Sequence, residues 1–225
     1  MNLTEYPREW AETEIFGRQI KLEMSRLLLH ETDVFITMPV PKVHVMTRVS
    51  LGFKNQWGCL PDVKRLRNHH DFAYKVLAIN KLLNPQMVIF DGTYFLNRTG
   101  PMEGDPVKMN LLIASDDAGA GSLACCELMQ INPKSIAHLR LAIKEGMMPN
   151  SLEQVDLNTP LQPFIGQNFY LQRRLIHWLT LGVFKSRVGT MLAYDSIFAK
   201  PLHDICLLYT SPSPRDLSTS RMPSS

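Results

Sequence analysis

Long apolar runs, paired cysteines and a surplus of either charge are all missing from this chain. Its most apolar stretch, Phe169 to Leu192, is interrupted by Arg173, Arg174, His177, Lys185 and Arg187, and falls short of the roughly 20 apolar residues that a membrane-spanning helix needs. The four cysteines include no C-x-x-C spacing, so this chain carries no iron-sulfur ligand set of its own. Adjacent Cys125 and Cys126 are poor partners for each other because disulfide geometry is specific, and a reduced, cytoplasmic chain is the expectation. Lys and Arg number 24 against 21 Asp and Glu, a net of +3, which gives no basic stripe for a nucleic acid. No G-x-G-x-x-G, Walker loop or G-x-S-x-G occurs, so no common nucleotide or acyl-transfer signature applies. The opening MNLTEYPREWAETE has neither a basic start nor an apolar run, so it is not a secretory signal.

The end of the chain differs in kind from the rest. From Cys206 the residues read CLLYTSPSPRDLSTSRMPSS, a Ser, Pro and Thr mixture that cannot bury enough surface to fold. One choice of codons for Cys206 to Asp216, and another for Ser220 to Ser225 after a short gap, resembles the two fixed blocks of a sequencing-library adaptor. Residues 206 to 225 are therefore expected to be a foreign, disordered tail. Without the two arginines and one aspartate of that tail the balance is 22 basic to 20 acidic residues. The natural protein is expected to be cut short at both ends, so an export signal ahead of Met1 stays open.

What is present predicts an α/β domain. Asp33 to Met38 reads as a buried strand closed by Pro39 and Pro41. Phe72, Val76, Ile79 and Leu83 lie at helical spacing and stop at Asn84-Pro85. Met87 to Phe90 then forms a second buried strand, a unit whose ordinary geometry is parallel. Val107 to Ala114 is expected to return antiparallel beside it, and Ala118 to Gln130 and Lys134 to Glu145 read as helices on the sheet. The result is a mixed, mostly parallel sheet flanked by helices, incomplete at both ends. Met24 to His30 reads as a short helix. Residues 1–148 form the expected domain, and 149–205 a linker and a helical segment packing on it; interfacial membrane contact is the minority reading of that helix.

Polar residues cluster between Lys42 and Asp117. In an extended segment Lys42 and His44 share a side, and Lys54 and Asn55 follow between Gly52 and Gly58. Two lysines, a histidine and free backbone amides can hold a phosphate or carboxylate; solvated lysines and a structural histidine are the plainer reading. Lys64 to Asp71 adds a basic turn, where His69 and His70 make a weak metal pair because helical neighbours point apart. Asp91 follows the buried strand at its carboxyl end, where open α/β sheets bind ligands; it can bind metal, act as a base, or cap a turn at Gly92. Glu103 and Gly104 sit in a tight loop. Asp116 and Asp117 precede a helix, where an acidic cap is stabilising by itself. Cys59 beside Trp57 reads as a packed thiol.

The runs VPKVHVMTRVSLGFKNQWGCLPDVKRLRNHHD and VIFDGTYFLNRTGPMEGDPVKMNLLIASDDAGAG resemble the domain of unknown function 362 family over about residues 33 to 146. Its motifs fall on Lys42, His44, Ser50, Gly52, Lys54, Asn55, Gly58, Arg67, His69, Asp91, Gly92, Gly100, Pro101, Gly104 and Asp117. The resemblance implies a ligand site built from Lys42, His44, Ser50, Lys54, Asn55, His69 and Gly104, with Asp91 and Asp117 as catalytic carboxylates and no metal assigned. The family's second Asp, some five residues after Asp117, is replaced by Ser122. Relatives often carry ferredoxin-like cysteine clusters in a further domain, which implies redox work with a ferredoxin-like domain or partner. A scaffold that docks an iron-sulfur partner through the basic turn is the alternative. The cofactor is not specified by either reading.

Overall fold

The computed structural model describes residues 3–62 and 71–195. The basic turn with Arg67, His69 and His70, and the whole segment from 206 to 225, lie outside the described residues.

The first element is a β-hairpin that the sequence reading missed. Strands β1 (Arg8–Ile15) and β2 (Arg18–Ser25) pair antiparallel from Arg8↔Ser25 to Ile15↔Arg18. Phe16 and Gly17 join them, both with positive φ (50° and 72°), the backbone that a two-residue hairpin turn requires. Ile15, Ile20, Leu22 and Met24 are buried on its inner side. The short helix α1 (Arg26–His30) starts later than expected, because Met24 and Ser25 belong to β2.

A five-stranded mixed sheet follows: β3 (Ile36–Thr37), β4 (Lys42–His44), β5 (Arg48–Ser50), β6 (Met87–Asn97) and β7 (Asp105–Ser115). The long strand β6 is central. Two of its three partners, β3 and β4, run parallel to it, through Ile36↔Met87 and Lys42↔Leu96. The third, β7, runs antiparallel along its length, with a bulge between Gly92 and Tyr94. Strand β5 pairs antiparallel with β4. With helices α2 (Gly52–Asn55), α3 (Phe72–Leu83), α4 (Ala118–Leu128) and α5 (Ala137–Lys144), this is an α/β fold.

Two strand expectations need correction. The segment 33–38 forms only a two-residue strand with Val34, Ile36 and Met38 exposed and Thr37 buried, because nothing among the described residues covers its outer face. The second strand does not end at Phe90 but continues to Asn97; Gly92 lets it pass, since a Cβ there would meet the Leu111 carbonyl oxygen at 2.6 Å.

The core lies on the face of β6 that carries Val88, Phe90 and Phe95, all fully buried. Helix α4 lies against it through Gly121, where a Cβ would stand 2.6 Å from Phe90 Cε2, so glycine permits the close approach. Helix α3 contributes Val76, Leu77 and Ile79, fully buried, each worth roughly 1.5–3 kcal/mol of transfer free energy. It stops at Asn84 in the left-handed conformation before Pro85.

Residues 149–168 form a loop with short 3-10 turns at Leu152–Gln154 and Gln162–Phe164. Phe169 then docks beside Phe95, ring centroids 5.9 Å apart, and Arg173 Nε donates to the Val45 carbonyl at 2.7 Å. Beyond that point α6 (Leu175–Lys185) and α7 (Arg187–Asp195) pack mainly on one another. Leu175, Trp178 and Leu179 point outward rather than onto the sheet.

Candidate functional site

Strands β4 and β5 place three of the candidate residues together. The register sets Lys42 opposite Ser50, His44 opposite Arg48 and Val43 opposite Val49. Both valines are fully buried, so alternation puts Lys42, His44, Ser50 and Arg48 on the other face. His44 is itself buried, and its Nδ1 accepts from the Met46 backbone N–H at 3.1 Å. That bond fixes the ring against its own turn.

Helix α2 carries Lys54 and Asn55 and is held from three sides. Gly52 touches α4: a Cβ there would meet Ser122 Oγ at 2.8 Å and the Ala118 carbonyl at 3.1 Å. Asn80 Nδ2 on α3 donates to the Phe53 carbonyl at 2.7 Å. Asn55 Nδ2 donates to Thr37 Oγ1 at 2.8 Å, which ties the helix to β3 and commits that donor.

Lys54 is thereby placed among buried rings. Its ammonium lies 6.0 Å from the Phe72 ring centroid, and Phe72 in turn packs on Trp57 at 4.9 Å and edge-on to His138 at 5.8 Å. Among the described residues it has neither a hydrogen bond nor an ion pair. Burial, and then the nearby charge of Lys42, hold its pKa well below the ordinary lysine value. His138 on α5 is fully enclosed and pushed down to about 3, by burial first and by Lys54 second, so it is neutral at ordinary pH. Its Nε2 has no hydrogen-bond partner, and neither amide atom of buried Gln56, two residues after Lys54, has one. Buried polar atoms are normally satisfied, so these orphans need a reason.

The carboxylates are elsewhere. Asp91 sits in the middle of β6, not at its end, and on the face opposite Phe90 and α4. Its Oδ1 accepts from the Thr93 N–H at 3.0 Å. Asp117 caps α4, accepting from Ala120 N at 2.7 Å, and with Asp116 it borders a cleft of about 200 Å³ lined also by Phe53, Asn80 and Asn84. Lys42 and Lys54 do not line that cleft, and the structure does not bring Asp91 and Asp117 together. Ser122, in the place of the second Asp, is fully buried in α4 with its Oγ lacking a partner. A larger cleft of about 350 Å³ is bounded by Arg48, Gln130, Ser135 and Tyr170 and holds none of the expected site residues.

Gly104 lies in the turn between β6 and β7 at φ 152°, where a Cβ would meet the Asn97 carbonyl at 2.3 Å. In the same turn a Cβ on Gly100 would stand 2.0 Å from the Val43 carbonyl, and Arg98 grips Asp105 with two 2.8 Å hydrogen bonds. These motif residues are consumed by backbone packing. His138 and Gln56 went unnoticed in the sequence; the only signal for His138 was its place on the inward stripe of α5 with Leu139 and Ala142. Among the described residues no group of three or more His, Cys, Asp or Glu side chains could hold a metal ion.

An α/β domain with a lysine pair at a strand–helix junction is the class this geometry defines. The model of the family described as domain of unknown function (DUF362) matches residues 4–127, and the chain belongs to that family. The match starts well before residue 33, so the β1–β2 hairpin is part of the family region. A thylakoid-associated protein of Synechocystis sp. is 28% identical over 130 residues, covering 55% of this chain and 40% of that protein. The chain thus spans less than half the length of that relative. No solved structure matches.

Proposed function

We propose that this domain binds a small anion, a phosphate or carboxylate group, between Lys42 and Lys54. The observation that carries the reading is the half-buried Lys54 ammonium, 6.0 Å from the Phe72 ring centroid with no acceptor among the described residues and near a second cation. Burying a charge without a partner is expensive, and a like charge nearby adds to the cost at Lys54. An anion between them would relieve both costs and draw a proton onto Lys54. Ser50, opposite Lys42, is placed to add a hydroxyl donor. His44 and Asn55 serve chiefly to hold β4 and α2, in keeping with their hydrogen bonds. Gly104 contributes by fixing the turn beside β4, and His69 belongs to the proposal through the resemblance alone.

Acid–base work is assigned in this reading to Asp117 before Asp91, because Asp117 borders a cleft whereas Asp91 lies mid-strand. Electrons for a redox step would come from a ferredoxin-like partner. Cys126 is a buried thiol pushed up to about 12, and burial raises Cys125 as well, which makes both inert. Free thiols suit a reducing, cytoplasmic setting, and among the described residues no helix is long and apolar enough to cross a membrane.

Sulfate titration by calorimetry tests the reading. Lys54→Ala in the full chain is expected to weaken sulfate at least about tenfold, the loss of one charge-assisted contact, while the melting temperature stays nearly unchanged. A large fall in melting temperature, or undiminished binding, would sink it.

A further inference from the structure

We propose that Lys54 is a carbonyl-reactive amine, which condenses with the aldehyde or ketone group of a small anionic substrate to form an imine. This rests on the anion-binding reading and deepens it: Lys42 holds the charge of the ligand, and Lys54, in the molecules where it carries no proton, attacks its carbonyl carbon.

A lysine that served only as a second charge would sit beside a carboxylate or in water. Lys54 does neither. Helix α2 is pinned to α4, α3 and β3 at Gly52, Phe53 and Asn55, and this directs the side chain toward Phe72, which is tilted against Trp57 and edge-on to His138. The groups acting electrostatically here are Lys42 and His138; the first is a like charge and the second is neutral. No carboxylate contributes to holding the proton on Lys54 among the described residues. An ammonium in that setting loses hydration and gains only a distant contact with the Phe72 ring, 6.0 Å to its centroid, so the free amine is favoured, and a desolvated lysine next to another cation is a known way to activate this nucleophile. His138 Nε2, on a ring that packs on Phe72, and the buried Gln56 amide, two residues after Lys54, are polar groups without partners.

The step balances without an oxidant or reductant. The Lys54 nitrogen lone pair forms the bond to the carbonyl carbon. The carbonyl oxygen then takes the two nitrogen hydrogens and departs as water, leaving C=N. The substrate class is accordingly a small oxo acid or a phosphate-bearing aldehyde, with the anionic group a few bonds from the carbonyl.

The test uses the full chain with pyruvate as probe and borohydride to reduce any imine to a stable secondary amine, followed by peptide mapping of the labelled lysines. Lys54 is expected to label about tenfold faster than exposed Lys108 and Lys134, as a desolvated lysine near a second cation should, and sulfate should slow it. Lys54→Arg cannot form an imine and is expected to lose the selective label while exposed Lys108 and Lys134 still react. Labelling spread evenly over surface lysines, with sulfate still bound, would overturn the imine and leave the anion site standing. Loss of both labelling and sulfate binding in the wild-type chain would overturn both.

Discussion

Two parts of this domain are equally rich in family motifs, yet they use their polar residues in opposite ways. In the turn from Asn97 to Asp105 most polar groups are paired, with buried Thr99 Oγ1 the exception: Arg98 with Asp105, the Asn97 side chain with the backbone of Asn168, Arg98 and Tyr170, and Gly100 O with Val45 N. Around the junction of β5 and α2 the polar atoms of Gln56 and His138 are buried and left over, and half-buried Lys54 has no acceptor among the described residues. A motif residue whose bonds are all spent locally is explained by folding. One that is buried and unspent is where an external ligand has something to do.

The sharpest contrast comes from breaking the spent region. Gly100→Ala puts a methyl group where the Val43 carbonyl stands 2.0 Å from the ideal Cβ position, so β4 and the turn must separate. A loss of about 3 kcal/mol or more in urea unfolding is expected. Asn97→Ala should follow at about 1–3 kcal/mol, since it removes the side chain that pairs two backbone donors and one acceptor in part-buried hydrogen bonds.

How far these regions could be read beforehand depended on how local their signals were. Helix α3 and the return of β7 were legible because Phe72, Val76, Ile79 and Leu83 mark one helical face and a Gly-Pro-x-x-Gly turn separates two apolar runs. The hairpin was not, because β1 is half exposed and its charged alternate residues hide the buried ones, while Phe16-Gly17 is an uncommon hairpin turn. Asp91 was misplaced because the apolar run stops at Phe90 although the backbone pairing does not. Lys42 and Lys54 were proposed from spacing, and Ser50 from the resemblance. His138 comes from 84 residues further along than Lys54, by its number, and only packing brings the two together.

A pH series separates the regions next. His138 is neutral in the fold, with its pKa pushed to about 3 from an ordinary 6.5, so the unfolded chain takes up a proton that the folded one refuses. Its contribution is whole above about pH 6.5 and is lost on acidification at up to about 1.4 kcal/mol per pH unit, down to about pH 3. Unfolding followed by denaturant at several pH values should show that slope, and His138→Leu should flatten it. The smallest effect on stability belongs to Lys54→Met, expected within about 1 kcal/mol of the wild type, since an unpaired, partly buried ammonium is exchanged for an apolar chain of similar length. The same variant should lose sulfate.

Proton uptake on sulfate binding tests the central claim most directly. Sulfate does not itself titrate, so calorimetry in two buffers of different ionisation enthalpy, between about pH 6 and 9, reads the proton taken up by the protein. The account predicts net uptake on binding, affinity that falls as pH rises, and loss of both in Lys54→Met. Sulfate bound without proton uptake, or with uptake unchanged in Lys54→Met, would contradict it.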